Sequence, residues 1–449
     1  MATVQEFWRP IINDFNPIGP VRPEDVSRFF VDRQEDDPTR SPLQLLKLSF
    51  QDSIWQPRPP YKALLTGHVG SGKSSELMRL GQELAADFFV VWFNAEFTLE
   101  TETANHFDVL LAMGLAVHAA AQAASLDPDE RLAKEFVQSF AKFVRKFEGR
   151  KGFSLRVEQI LKQVVAMSLG AFGVLPAVTD TLLGVTRLEL KVSDDLVRTL
   201  ELPANRRAIV GSLNKIIDGV GGKAKRPVLI ITDGLDKVPA GRARKLFADS
   251  ALLTEPACAL VYAAPIEFYH RLIAGVAKNL FDEHHILPNP IVQRRPLTGE
   301  NWKGEREPNE NGLAVMRKVI AKRLEAHGKA SDEVITPQAL ELLARVSGGV
   351  MRELISYFRD AVRFAQLRNT MQIDFVIAQN VITQQRQAVA LRLNLDHREA
   401  LRRVLQQGAL SGGQRETVED DLLRGLYLLS YQDDQLSWFD VHPNVLPLL

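Results

Sequence analysis

Residues Gly67-His68-Val69-Gly70-Ser71-Gly72-Lys73-Ser74 constrain this chain more than any other stretch. Ala63-Leu64-Leu65-Thr66, an apolar run, precedes them, and the stretch from Ser75 to Leu84 follows with Leu77, Leu80 and Leu84 at helical spacing. A strand, a glycine loop, then a helix is the context in which this spacing acquires meaning. The glycines let successive backbone N–H groups turn inward on an anion, and the helix N-terminus adds its partial positive charge. Lys73 then reaches the β- and γ-phosphates of a nucleotide, and the Ser74 hydroxyl ligates Mg²⁺. Gly67 through Ser75 is therefore the candidate ATP-binding loop. A strand feeding such a loop calls for an α/β fold with a parallel sheet.

A chain of 449 residues has room for two or three domains, and 45% hydrophobic with 24% charged residues is ordinary globular content. Lysine plus arginine equals aspartate plus glutamate at 55 each, so nucleic acid could be met only by a local basic face. The single cysteine, Cys258, lies in an apolar run and reads as a buried structural thiol in a reducing, cytoplasmic setting. No zinc spacing is present, and Met1 to Phe15 lacks the basic-then-apolar order of a signal peptide. Residues 164–179 are uncharged and carry Gly170, Gly173 and Pro176. As a helix they span about 24 Å, short of the ~30 Å hydrocarbon core. They read as a packed hairpin or an oligomer contact, with membrane association as the alternative.

Hydrolysis needs a carboxylate near the metal. Val228-Leu229-Ile230-Ile231-Thr232 is a continuous apolar and β-branched run ending in Asp233-Gly234-Leu235-Asp236-Lys237, a Walker B pattern. Asp233, at a strand's carboxyl end, is placed to hold the Mg²⁺ shell. Asp236 is the candidate for polarising the attacking water, with a cap or turn role as its alternative. Further strands are expected at Phe88–Phe93, at Ala259–Ala264, and around Ile286-Leu287 with Ile291-Val292. A large insertion, about residues 100–225, separates the second strand from the Walker B strand. It includes a strand-like Leu188–Val192 and a largely helical Leu196–Ile217, and reads as a partner surface.

Beyond Pro296 the pattern is helical, with Thr336 as N-cap and Pro337 at the first helical position. Ser347-Gly348-Gly349-Val350-Met351-Arg352 turns into a helix carrying Arg352 in its first turn, where a lid could present a cation to the γ-phosphate. The tail reads as a helix from Arg398 to Gln406, a turn, and a helix from Val418 to Leu429. Extended pieces are expected around Leu436-Trp438-Phe439 and Val441-Val445-Leu446, completing a winged-helix outline. The wing is acidic, whereas Arg392, Arg398, Arg402 and Arg403 form a basic stretch, so protein contact is favoured over DNA.

In this order the motifs resemble the AAA+ and STAND branches of P-loop ATPases. Asp233-Gly234-Leu235-Asp236 is similar to the NACHT-type pattern, and Gly-Gly-x-x-Arg at Arg352 to the sensor-2 arginine of initiator-type AAA+ proteins. Phe30-Val31-Asp32-Arg33 is similar to an adenine-proximal Phe-Val-Gly-Arg box, with aspartate in place of glycine, which makes Val31 and Arg33 expected nucleotide contacts. The resemblance covers residues 28 to 365 and implies a lead-in (1–60), a P-loop core (61–295), a helical lid (296–388) and a winged-helix-like module (389–449). It implies Mg²⁺-dependent hydrolysis of ATP to ADP and phosphate, homo-oligomerisation, and regulation of a separate effector, plausible in bacterial antiviral defence. Gly234 stands where a Walker B glutamate is usual and Ala263-Ala264-Pro265 where a polar sensor is usual, which implies slow turnover. Arg271, Arg294 and Arg295 are the arginine-finger candidates. A DNA-binding initiator or loader and a membrane-associated ATPase are the alternative functions.

Overall fold

Strands whose residues are apolar one after another need cover on both faces. Three such runs form the middle of the sheet: β1 (Lys62–Gly67), β3 (Val228–Asp233) and β4 (Ala259–Pro265), each buried at every position. With β2 (Phe89–Asn94) and β5 (Glu283–Ile286) they make a five-stranded sheet of order β2-β3-β4-β1-β5. The β1–β5, β2–β3 and β3–β4 pairings are parallel, and the β2–β3 register sets Asn94 beside Asp233. The computed structural model describes residues 3–17, 26, 28–33, 41–55, 59–136, 138–139, 203–272, 280–295, 306–411, 418–433 and 436–449.

The chain divides into two units. One comprises Ser41–Thr66 and Glu76–Ile286; the other comprises Met1–Arg40, Gly67–Ser75 and Leu287–Leu449. In the sheet unit the helix His106–Ala123 is buried on nearly all sides, as expected of a helix apolar all round. Its Phe107, Leu110 and Met113 share one core with Ile209, Leu213 and Ile216 of the helix Pro203–Ala224 and with Ile230 and Leu260 of the sheet. The described ends of the expected insertion are thus core elements. The apolar segment 164–179 and Leu188–Val192 lie outside the described residues. Cys258 is a buried free thiol, its pKa raised to about 11 by burial.

The fifth strand comes earlier than expected, at Glu283–Ile286. Pro288 and Pro290 follow, and proline supplies no ladder donor. At the expected Ile291-Val292 piece the described residues carry an isolated bridge, Gln293 with Pro308, in place of a strand.

In the second unit the helices Glu310–Glu325, Pro337–Val346, Met351–Leu367 and Phe375–Ala390 share a core that includes Leu313, Leu343, Phe358 and Val381. Thr336 accepts the N–H of Ala339 (3.4 Å), with Pro337 at the first helical position as the sequence implies. The N-terminal helix Val4–Asn13 belongs to this core as well: Trp8 and Ile11 are buried in it, and the Trp8 indole N–H donates to Thr370 O (2.9 Å). Phe15 stacks on Phe358 with ring centroids 4.1 Å apart. The N-terminal helix is therefore part of the helical core of this unit.

The tail holds the helices Leu395–Gln407 and Val418–Arg424 and an antiparallel hairpin, β6 (Leu428–Gln432) with β7 (Ser437–Val441). The second helix was expected to reach Leu429. It stops at Arg424 because Gly425 and Leu426, the latter with φ 60°, turn the chain into β6. Val445-Leu446 is not a strand: a short 3₁₀ turn, Leu446–Leu448, stands there.

At the start of the His106–Ala123 helix, Asn105 Oδ1 accepts from Phe107 and Asp108, and Asp108 Oδ2 accepts from Asn105 N–H (3.0 Å), a capping box. Burial pushes the Asp108 carboxyl up to about 8, opposed by the Asn105 N–H and by the charge of Arg242. A folded value above the unfolded one means stability fully present below about 4 and lost as pH rises through about 8. Replacing Asp108→Asn removes that loss. Thermal melts should show the variant's Tm rising relative to wild type between about pH 5 and pH 8.

Candidate functional site

The phosphate loop starts where β1 ends, and the helix Lys73–Leu84 begins at its lysine. Gly70 and Gly72 take positive φ (82° and 96°), the conformation that lets the loop curl. Lys73 is buried and its ammonium donates to Gly67 O (2.7 Å) and His68 O (2.8 Å), both carbonyls of the loop. Ser71 is fully buried, and its Oγ has no hydrogen-bond partner among the described residues. Val69, Ser74 and Ser75 are half-buried. A curled backbone, a buried ammonium at its mouth and an unsatisfied buried hydroxyl fit a polyphosphate.

Three elements of the same unit hold this loop. The first is Arg33, whose guanidinium donates to Ser71 O and to Pro288 O (2.9 Å). Arg33, an expected nucleotide contact, braces the loop through these bonds, and Val31 is buried in the helical core of the unit. The second is the first turn of the Met351–Leu367 helix. Arg352 N–H donates to Gly70 O (3.1 Å), and a Cβ on Gly70 would stand 2.6 Å from Arg352 Cβ. Arg352 lies at the loop, and its backbone N–H makes that contact. The third is the hairpin: Ser430 N–H donates to His68 Nε2 (2.7 Å), with His68 only 2% exposed.

The lid turn is itself tied to the tail. Tyr431 OH donates to Gly348 O (2.9 Å), and His442 Nε2 lies 3.0 Å from Glu353 Oε2. Asn444 N–H donates to His442 Nδ1 (3.1 Å), which leaves Nε2 to carry the ring proton and donate to Glu353. Burial raises the Glu353 pKa, yet His442 and the Tyr357 hydroxyl (2.5 Å) outweigh it and hold the carboxyl below its ordinary value. A buried pair, Arg306 with Asp440 (3.0 Å), joins the lid's lead-in to β7.

In the sheet unit Asp233 ends β3 and is 2% exposed. Its Oδ1 accepts from Gly234 N–H (2.8 Å), and Asn94 Nδ2 stands 3.5 Å from its Oδ2. Asp236 sits on the 3₁₀ turn Leu235–Lys237, buried. Lys237 pairs with Glu96, whose N–H is capped by Asn94 Oδ1 (3.0 Å). Asn94 and Glu96 escaped the sequence reading. The available signal was that Phe89–Asn94, like the Walker B strand, is an apolar run ending in a polar residue. Gly234 has φ 83°, and a Cβ there would lie 2.6 Å from Glu96 N and 2.8 Å from Asn94 Oδ1. Among the described residues no group of three or more histidine, cysteine, aspartate or glutamate side chains could hold a metal ion. A nucleotide-bound Mg²⁺ does not need one, since a serine, a carboxylate and the phosphates serve.

Of the arginine-finger candidates, Arg294 pairs with Glu307 (3.5 Å) and the Arg295 guanidinium lies over the Trp438 ring (5.8 Å). The side chain of Arg271 lies outside the description. The basic stretch of the tail is engaged internally: Arg398 donates to Leu448 O, Arg402 to Leu449 O (3.0 Å) and Arg403 to Glu419 (2.6 Å). No helix among the described residues is long and apolar enough to cross a membrane.

The strand β1, the glycine loop and the helix from Lys73 define the class: this is an α/β P-loop protein built on a parallel sheet. No family model matches the chain, and no curated relative does. Among solved structures it is similar to the Aeropyrum pernix ORC2 protein (ADPNP–ADP complexes), with TM-score 0.40 and 11% identity over 90% of this chain and 91% of that one. It is also similar to the Aeropyrum pernix ORC1 protein in complex with DNA (TM-score 0.38, 12% identity, 98% and 95% covered). A third is Cdc6p from Pyrobaculum aerophilum (TM-score 0.37, 10% identity, 94% and 95% covered). At these scores the likenesses carry no functional argument.

Gly234→Ala should destabilise the protein by about 1–3 kcal/mol, because backbone and a capping side chain fill the space. Denaturant unfolding measures that loss. An ATPase assay on the same variant should show no gain in turnover.

Proposed function

We propose that this chain is an ATP-binding molecular switch of the initiator-type AAA+ kind, which hydrolyses slowly and changes state with its nucleotide. The observation that carries the reading is the phosphate loop, with its buried Lys73, docked on the first turn of the lid helix through Arg352 N–H and Gly70 O. In this reading Gly67–Ser75 cradle the phosphates, Ser74 and Asp233 hold Mg²⁺, and Arg352 faces the γ-phosphate. Val31 and Arg33 serve in this reading as the nucleotide contacts of the lead-in. Asp236 serves as the second carboxylate. When bound, Mg²⁺ supplies charge neutralisation at the β- and γ-oxygens. Slow turnover follows from Gly234 and from the buried, apolar Ala263 and Ala264 at the end of β4. The division into lead-in, core, lid and tail belongs to the same proposal.

Homo-oligomerisation on ATP binding is part of the reading. A separate effector and a role in antiviral defence rest on resemblance alone, and no observation on this chain adds to them. Lys73→Ala removes the charge-assisted contact to the phosphates. ATP affinity should fall about tenfold to a hundredfold, which corresponds to roughly 1.4–2.8 kcal/mol. A fluorescent-nucleotide titration measures it, and unchanged affinity would remove the proposal. Mass photometry with and without ATP tests assembly.

DNA binding by the tail is the second reading. The helix, helix, antiparallel-hairpin order favours it. The internal engagement of Arg398, Arg402 and Arg403 weighs against it. If it holds, duplex binding should be salt-dependent and weakened by alanine at those three positions. A fluorescence-anisotropy titration at low salt with no binding would end it.

A further inference from the structure

His68 is a variable position of the phosphate loop and here it faces two ways. Its carbonyl accepts from the Lys73 ammonium (2.8 Å) and from Ser71 N–H (3.0 Å). Its ring, at Nε2, accepts from Ser430 N–H in β6 (2.7 Å). One buried residue therefore joins the lysine that a phosphate would claim to the β6–β7 hairpin. Nε2 must be unprotonated to accept, so the ring is neutral in this contact.

The surroundings make the hairpin a lever. Leu429 and Tyr431, the neighbours of Ser430, pack with Val350 and Trp438 in a small core at the lid turn. Tyr431 OH holds Gly348 O (2.9 Å), and a Cβ on Gly348 would lie 2.5 Å from Leu429 Cδ1. Movement of β6 is thus movement against the turn that delivers Arg352. Well-packed contacts of this kind shift between discrete arrangements and do not stretch continuously.

We propose that His68 is a positioning residue coupling phosphate-loop occupancy to the C-terminal hairpin, so that nucleotide binding releases β6 from the loop. The proposal rests on the ATP-binding reading above. A polyphosphate draws Lys73 away from Gly67 O and His68 O. The freed His68 peptide then reorients with the phosphates and carries its ring off Ser430 N–H. The released hairpin edge, Leu428–Gln432, becomes the surface through which the bound state is read. By thermodynamic reciprocity, weakening the His68–Ser430 contact must strengthen nucleotide binding by the factor that nucleotide weakens the contact.

The test uses the full chain with Mg²⁺ and a non-hydrolysable ATP analogue. In wild type, amide hydrogen exchange over Leu428–Val441 should speed up about tenfold on adding the analogue. Ser430→Pro removes the donor, and since that N–H goes to His68, no β6–β7 ladder bond is lost with it. The variant should bind the analogue several-fold tighter than wild type, a gain that damage to the fold would not produce. Tyr431→Phe, which loses only the bond to Gly348 O, should shift affinity the same way by less, and serves if the proline variant fails to fold. Wild type that binds the analogue with hairpin exchange unchanged or slowed would overturn the coupling alone, as would variants that bind no tighter. Wild type that binds no nucleotide in a direct titration would overturn the ATP-binding reading and this proposal with it.

Discussion

The closeness of the lid helix to the phosphate loop is the constraint on which the second unit depends. Arg352 N–H bonds Gly70 O, and the space a side chain at 70 would need is taken by Arg352 Cβ. A buried loop must give its backbone groups partners, because an orphaned donor or acceptor costs as much as a lost hydrogen bond. Here the Met351–Leu367 helix and Arg33 each supply one, to Gly70 O and Ser71 O, while the tail hairpin holds the His68 ring. The lid can do so only if its helix start is held in place. That explains why an N-terminal helix with Trp8 and a stacked Phe15–Phe358 pair are built into its core.

Two acids away from the surface show how burial and donors compete. Glu353 is half-buried, yet it stays below its ordinary carboxylate value because His442 and Tyr357 both donate to it. Asp108, more deeply buried at 3% exposed, has one backbone donor and a more distant arginine, and rises to about 8. The contrast shows the rule at work within one chain: burial favours the neutral acid, and only well-aimed donors reverse it.

The glycine loop, its flanking strand and helix, the buried β3 with Asp233, and the Gly-Gly turn to Arg352 were all legible, because periodicity and backbone-demanding glycines are local signals. The fifth strand was misplaced by several residues, since an edge strand with the sequence Glu283-His284-His285-Ile286 has no apolar run to announce it. The helix–strand switch at Leu426 was missed because Leu428 and Leu429 continue an apolar pattern that either element could use. Long-range pairs such as Trp8 with Thr370, Arg33 with Ser71, and His68 with Ser430 leave no trace in spacing. They depend on the fold bringing distant segments together. Asn94 and Glu96 fall between these cases, flagged only by a polar end to a buried strand.

The interlocking of Gly234 with the Asn94–Glu96 turn bears on how such a chain can change over generations. A carboxylate cannot be introduced at 234 by one substitution, because the neighbouring strand's turn already occupies that volume and the backbone there is left-handed. Both strand ends would have to be rebuilt together, and each half-step would be less stable than its parent. The lack of a side chain at 234 is therefore held by the main chain, where drift at single positions does not reach it.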